Sequence, residues 1–115
     1  MWTVPIGAHQ AIAHPLARAK MQLELAKLMQ QKAAWQQDRG EDAGEASNMA
    51  RLSAAEAAVD ALDAAIQTHG GHGLSSEMGL ADLWGMARLQ KIAPISREMI
   101  LNFVAMHSLG LPKSY

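Results

Sequence analysis

An all-α domain, an antiparallel up-and-down four-helix bundle, is what this sequence predicts, and three observations predict it. Apolar residues recur at three- and four-residue steps through most of the chain. Nothing alternates with a period of two over the length of a strand. Half of the 115 residues are apolar but only 4% are aromatic, so the core must be built from Ala, Leu, Ile, Val and Met, small or flexible side chains that favour closely packed helices. Residues 1–115 fit one domain, and a domain of that size buries roughly two-thirds of its unfolded surface.

The first helix is expected from Ala8 to Gln37. Ile12, Leu16, Ala19, Leu23, Ala26 and Ala33 share one face. Met21, Leu25, Leu28, Met29 and Trp35 widen the apolar surface, so this helix should touch more than one neighbour. Pro15 removes a ladder hydrogen bond and should bend the first turns unless the regular helix begins there. The polar, glycine-containing run Asp38 to Gly44 marks a loop.

A second helix is expected from Ala46 or Ser47 to His69, with Leu52, Ala55, Val59, Leu62 and Ile66 in bundle spacing. A loop from Gly70 to about Glu77 precedes a shorter third helix carrying Leu80, Leu83, Trp84, Ala87 and Leu89. Ala93-Pro94 divides it from a fourth, because proline disfavours helical geometry in the residue before it and is welcome at a first helical position. Ile100, Phe103, Val104 and His107 form that helix's expected inner stripe, and Gly110 and Pro112 end it. Short connections favour antiparallel neighbours.

Composition excludes several functions. A net charge of -1 offers no broad basic surface for nucleic acid. The absence of cysteine removes disulfides, thiolate nucleophiles and cysteine-ligated metals. No apolar run approaches the ~20 residues that cross a bilayer, and no secretory leader pattern is present, so a cytoplasmic protein with no membrane partner is expected. His69 and His72 have no third ligand near them in sequence, and no metal site is expected. Lys20, Glu24 and Lys27 read as a solvated face.

Gln67-Thr68-His69-Gly70-Gly71-His72-Gly73 is the motif that carries most information. By itself, Gly70-Gly71 after a helical run is a C-cap, since glycine adopts the left-handed conformation without steric cost. The stretch nevertheless resembles the Gln-x-His-Gly-Gly-x-Gly turn of the acyl-CoA dehydrogenase family, and other pieces of that pattern flank it in order. Trp2 to Gln10 is similar to the family's aromatic-Gly…Gln segment, with Trp2 at the aromatic position, Thr3 in place of the glycine, and Gln10 at the glutamine. Met49 to Glu56 resembles a small-residue segment on the second helix. Met86-Ala87-Arg88 sits where Arg-Asp-Ala-Arg is common, with Gly85 and Met86 departing from it. Ile92 to Met99 aligns with the segment ending in Thr-Ser-Glu-Ile.

The resemblance implies the C-terminal helical domain of such an enzyme, with the family's N-terminal helical and middle β-domains absent from this sequence. In the family an acyl-CoA thioester loses an α-proton to a glutamate while a β-hydride passes to flavin, and the bundle helps build an oligomer in which its motifs reach a neighbour's FAD. Carried over by position, Gln10 and Gln67 would hydrogen-bond the adenosine diphosphate portion, Trp2 would pack on it, and Gly70, Gly71 and Gly73 would bring backbone close. Because a helix C-terminus repels phosphate, attraction would come from amides of the turn forming a nest. The family's glutamate position falls at Pro94, which takes no proton, and Glu98 reads as a first-turn dipole partner. No catalytic residue is therefore expected within the chain. FAD is the expected cofactor of the complete enzyme, acyl-CoA its substrate, and a homo-oligomer (dimer or tetramer) or a hetero-oligomer with a related subunit its assembly. The alternative is a non-catalytic helical module that only oligomerises.

Overall fold

The computed structural model describes residues 3–114, which form four α-helices and no strand among the described residues. They are α1 (Gln10–Asp38), α2 (Gly44–His69), α3 (Leu80–Leu89) and α4 (Arg97–His107), with 3-10 turns at Ile6–Ala8 and Gly70–Leu74. The all-α, four-helix architecture is the one expected.

Several boundaries shift for identifiable reasons. α1 begins at Gln10, two residues later than expected, because Ile6–Ala8 close a separate 3-10 turn in which Ala8 N–H bonds to Pro5 O at 2.9 Å. It then runs unbroken through Pro15. α2 begins at Gly44 because the Asp42 carboxylate accepts that residue's amide at 2.9 Å, satisfying one of the donors that the start of a helix leaves open. Pro94 is not the first helical residue of α4. The Ala93-Pro94 bond is cis, and Ser96 is the N-cap, its hydroxyl accepting from Met99 N at 3.3 Å.

α2 is the hub. It packs along α1 on one flank and against α3 and α4 on the other, whereas the backbone of α1 comes close to neither α3 nor α4, and the backbones of α3 and α4 stay apart from each other. Both short helices run antiparallel to α2 along successive parts of it. The end of α3 meets Arg51 through the Gln90 carbonyl, and α4 runs from Glu56, which pairs with Arg97, to Glu45, which accepts from Ser108. The result is elongated, 56 × 26 × 26 Å.

The buried core is almost all alanine: Ala19, Ala26 and Ala33 of α1 lie seven residues apart on one seam, facing a helix whose buried residues are Ala46, Ala50, Ala55, Ala57 and Val59. Small side chains let the two axes approach closely. Leu16 and Leu23, expected on that seam, are 41% and 42% exposed, since a Leu directly on an alanine seam would wedge the helices apart. On α4, Ile100 is the largest fully buried side chain. His107 is exposed and stacks on the Phe103 ring with centroids 4.1 Å apart.

The opposite face of α1 is apolar as well. Met21, Leu25, Leu28 and Trp35 form a stripe half a helical turn from the alanine seam and are 55–66% exposed. Arg39 lies over the Trp35 ring at 4.8 Å. This helix therefore carries two apolar faces and covers one.

Candidate functional site

Antiparallel pairing of α1 and α2 places the start of the first helix beside the end of the second. Ala11, Ile12 and Pro15 from α1 and Ala64, Gln67 and Thr68 from α2 line one concavity of about 290 Å³. Gln10, the first residue of α1, and Gln67, in the last turn of α2, thus lie at the same end of the molecule, and both are exposed. Trp2 lies outside the described residues.

The glycines beyond Gln67 do different jobs. Gly70 is the C-cap of α2 at φ 60°, ψ -145°, with its N–H on Gln67 O. Its φ is positive as expected for glycine, but its ψ is extended where a left-handed helical cap was expected, so the chain leaves the axis sharply and starts a 3-10 turn. That turn spans Gly70–Leu74. Gly73 is buried, and a Cβ there would meet Ile66 O at 2.8 Å and Ile66 Cα at 3.0 Å. Its lack of a side chain is required by the fold, because the turn folds back onto the last turn of α2. Gly71 differs: a Cβ would meet nothing within 4 Å, and its φ is not positive. Nothing inside the chain demands glycine there.

The histidines of the motif are occupied or solvent-facing. His69 donates a ring N–H from Nδ1 to the Ala65 carbonyl at 2.7 Å, and His72 is exposed. No group of three metal-ligating side chains occurs among the described residues. Flanking the same groove, Gln22 donates to Asp60 at 3.1 Å across the two helices. On the solvated face of α1, Lys20 hydrogen-bonds Glu24 and holds its carboxyl below the usual range.

A second cluster escaped the sequence reading altogether. Arg51 on α2 sends Nη2 to the Gln90 carbonyl at 3.4 Å and to the Ala93 carbonyl, while Arg97 returns to Glu56 of α2 at 3.0 Å. These partners are 39 to 42 residues apart in sequence, and no local pattern marks them. Between them the corner of residues 90–96 exposes Ile92 and Ile95 at 56% and 44%. Pro94 is exposed at its tip, and no carboxylate replaces it there.

No helix among the described residues is long and apolar enough to cross a membrane.

Comparison with known proteins agrees with the geometry. Residues 2–109 match the family model described as acyl-CoA dehydrogenase, C-terminal domain. FadE12 of Mycobacterium tuberculosis, named an acyl-CoA dehydrogenase, is 59% identical over 117 residues, covering 100% of this chain and 30% of that protein. A 3-(aryl)acrylate reductase of Clostridium sporogenes is 36% identical over 105 residues, covering 91% of this chain and 28% of that protein. Among solved structures, an FAD complex of PigA superposes with a TM-score of 0.91 at 30% identity, over 96% of this chain and 29% of that one. The chain spans about 30% of the length of such relatives.

Proposed function

Because this chain belongs to the acyl-CoA dehydrogenase family, as its C-terminal helical domain, we propose that it serves a complete FAD-dependent enzyme that desaturates acyl-CoA thioesters between the α and β carbons. Its own contribution is to contact flavin dinucleotide and to join subunits.

Gly71 is the observation that carries the cofactor role. A glycine whose φ is not positive and whose missing side chain leaves open space has no internal reason to be glycine, and it follows the exposed Gln67 by one short turn of chain. Such a surface fits a polar ligand that approaches backbone closely. In this reading Gln10 and Gln67 donate to the adenosine diphosphate portion of FAD, Gly70 and Gly71 admit it, and Gly73 holds the turn in place from behind. Trp2 packs on the same group. Bound flavin supplies the hydride acceptor. The chain supplies no general base, since Pro94 stands at the corner that the family resemblance puts beside the substrate α-carbon, and the proton is taken by a carboxylate from elsewhere in the complete enzyme.

The subunit-joining role is supported by area. A folded protein of 12.4 kDa should expose about 6,100 Å², and this chain exposes 8125 Å². The surplus of about 2,000 Å² is on the scale of an obligate interface, and the outer stripe of α1 lies on that exposed surface. A homo-oligomer, or a hetero-oligomer with a related subunit, covers that stripe.

The deciding experiment is flavin content. Gln67→Ala in the complete enzyme should lower flavin retained per subunit through gel filtration while leaving the unfolding temperature unchanged, because an exposed glutamine carries no core packing. A variant that unfolds early yet keeps its flavin would make Gln67 a structural residue and remove the proposal's basis.

A further inference from the structure

We infer that a second copy of this chain seats on one flank of the α1 and α2 hairpin, about a two-fold axis parallel to the helices. In that arrangement α1 of each copy lies on α2 of the other, and Arg18 meets Asp60 and Asp63 of the second copy. The pairing rests on the subunit-joining role proposed above and gives it an orientation.

Charge is divided between the two helices. α1 carries Arg18, Lys20, Lys27 and Lys32 against Glu24 and Asp38, a net +2, whereas α2 carries Glu45, Glu56, Asp60 and Asp63 against Arg51, a net -3. Along one flank of their seam, Arg18 and Gln22 from α1 and Asp60, Asp63 and Gln67 from α2 line a concavity of about 540 Å³. All of these but Gln22 are exposed. The ion pairs among the described residues join Lys20 to Glu24, Arg39 to Glu41 and Arg97 to Glu56, and none takes up Arg18, Asp60 or Asp63. The flank continues into a neighbouring concavity of about 690 Å³, where Met21 and Leu25 of the outer stripe add apolar area.

Two face-to-face arrangements of such a hairpin have two-fold symmetry. An axis crossing the helices lays α1 on α1 and α2 on α2, setting net +2 against net +2 and net -3 against net -3. An axis along the helices lays each α1 on the other copy's α2, opposite charge against opposite. Like charges juxtaposed across an interface are strongly disfavoured, and complementary ones fix its register. Rotation about the second axis also keeps every residue at its own level. Gln22 and Asp60 share a level, since they hydrogen-bond at 3.1 Å, and Arg18, one turn away, lines the same concavity as Asp63. Arg18 therefore meets the acidic pair of the second copy, twice by symmetry. Affinity comes from the apolar area buried, orientation from the charges. Pro15, Ala64 and Gln67 line both this concavity and the smaller one at the end of α2, so the second copy also walls the surface proposed for the dinucleotide.

The test uses the complete enzyme with two charge reversals, Arg18→Glu and Asp63→Lys, each purified alone and then mixed. Alone, each variant sets like charges at both symmetric contacts, and its subunits should dissociate at about tenfold higher concentration than the parent's, read by light scattering on dilution. Mixed, the two variants carry opposite charges at one contact and the parental charges at the other, so the hetero-pair should regain the parent's stability. Recovery on mixing belongs to contact between copies, because a pair of residues 18 and 63 within one chain would stay broken in the mixture. Weakened assembly without recovery overturns the pairing. Tighter assembly by Arg18→Glu alone means that α1 meets α1, and overturns the orientation. Unchanged mass in all three samples overturns the inference and leaves subunits joined elsewhere. A parent enzyme that is a monomer sinks the subunit-joining role itself, a result independent of the variants. Should Asp63→Lys fail to fold, Asp60→Lys carries the same comparison from the adjacent turn.

Discussion

Gly73 and Ile66 are in backbone contact: the space where a Gly73 side chain would begin is taken by the Ile66 carbonyl oxygen, 2.8 Å away. That contact fixes the return of the glycine turn onto α2, and with the positive φ of Gly70 it separates the glycines of the motif into two the fold needs, Gly70 and Gly73, and one it does not, Gly71.

Gly73→Ala should therefore destabilise the domain by about 1–3 kcal/mol, the usual cost of forcing an extra methyl against backbone. Gly71→Ala should change stability by less than about 0.5 kcal/mol, as surface substitutions do, yet lower flavin retention in the complete enzyme. Denaturant unfolding together with flavin absorbance per subunit checks both. Equal stability losses at the two positions would contradict the division.

Ile100 is 2% exposed and is the largest fully buried side chain. Truncation to Ala should cost about 2–5 kcal/mol, whereas Leu101→Ala, at a position 44% exposed, should cost under about 1 kcal/mol. Chemical unfolding of the pair decides it, and comparable losses would mean that α4 docks through a different face.

The alanine seam is expected to resist enlargement. Ala26, 4% exposed, sits midway along the contact of α1 with α2, so Ala26→Leu should force the helices apart at about 1–3 kcal/mol. The compensating pair of a larger residue on α1 with Ala55→Gly on α2 should recover part of that loss if the two residues face each other. Midpoints in urea give the comparison.

Charges placed on the outer stripe should act on assembly and not on folding. Leu25→Asp and Leu28→Asp replace side chains that are 64% and 60% exposed, so helical content should be kept while light scattering of the complete enzyme shows a smaller particle. A particle of unchanged mass would show that subunits meet elsewhere.

How much of this was legible follows from where the signals lie. Gly70, Gly110 and Pro112 punctuate the chain locally, and the end of α2 at His69 and of α4 at His107 lie within a few residues of them; α3 spans Leu80–Leu89, where its apolar residues suggested. The two faces of α1 were not separable, because both are apolar and periodicity gives no sign of which the partner helix covers. The alanines won on close approach. His107 shares its face with buried residues by spacing, yet it is exposed and turns to Phe103, whose carbonyl accepts from its Nδ1. Pro94 looked like a helix start, but the serine two residues later offers a hydroxyl to Met99 N, which proline cannot do. Of the residues proposed to face the cofactor, Gln67 and the glycines were visible as a motif, and the meeting of Gln67 with the start of α1 around one concavity follows from antiparallel pairing. Arg51 was invisible because its acceptors are backbone atoms about forty positions away.

Since α1 and the two short helices meet only by way of α2, the molecule resembles a rod with separate sleeves on either side. Under tension applied at the two chain ends, the outer helices should peel from the middle one in succession, and damage on one flank should not propagate to the other unless the central rod itself gives way.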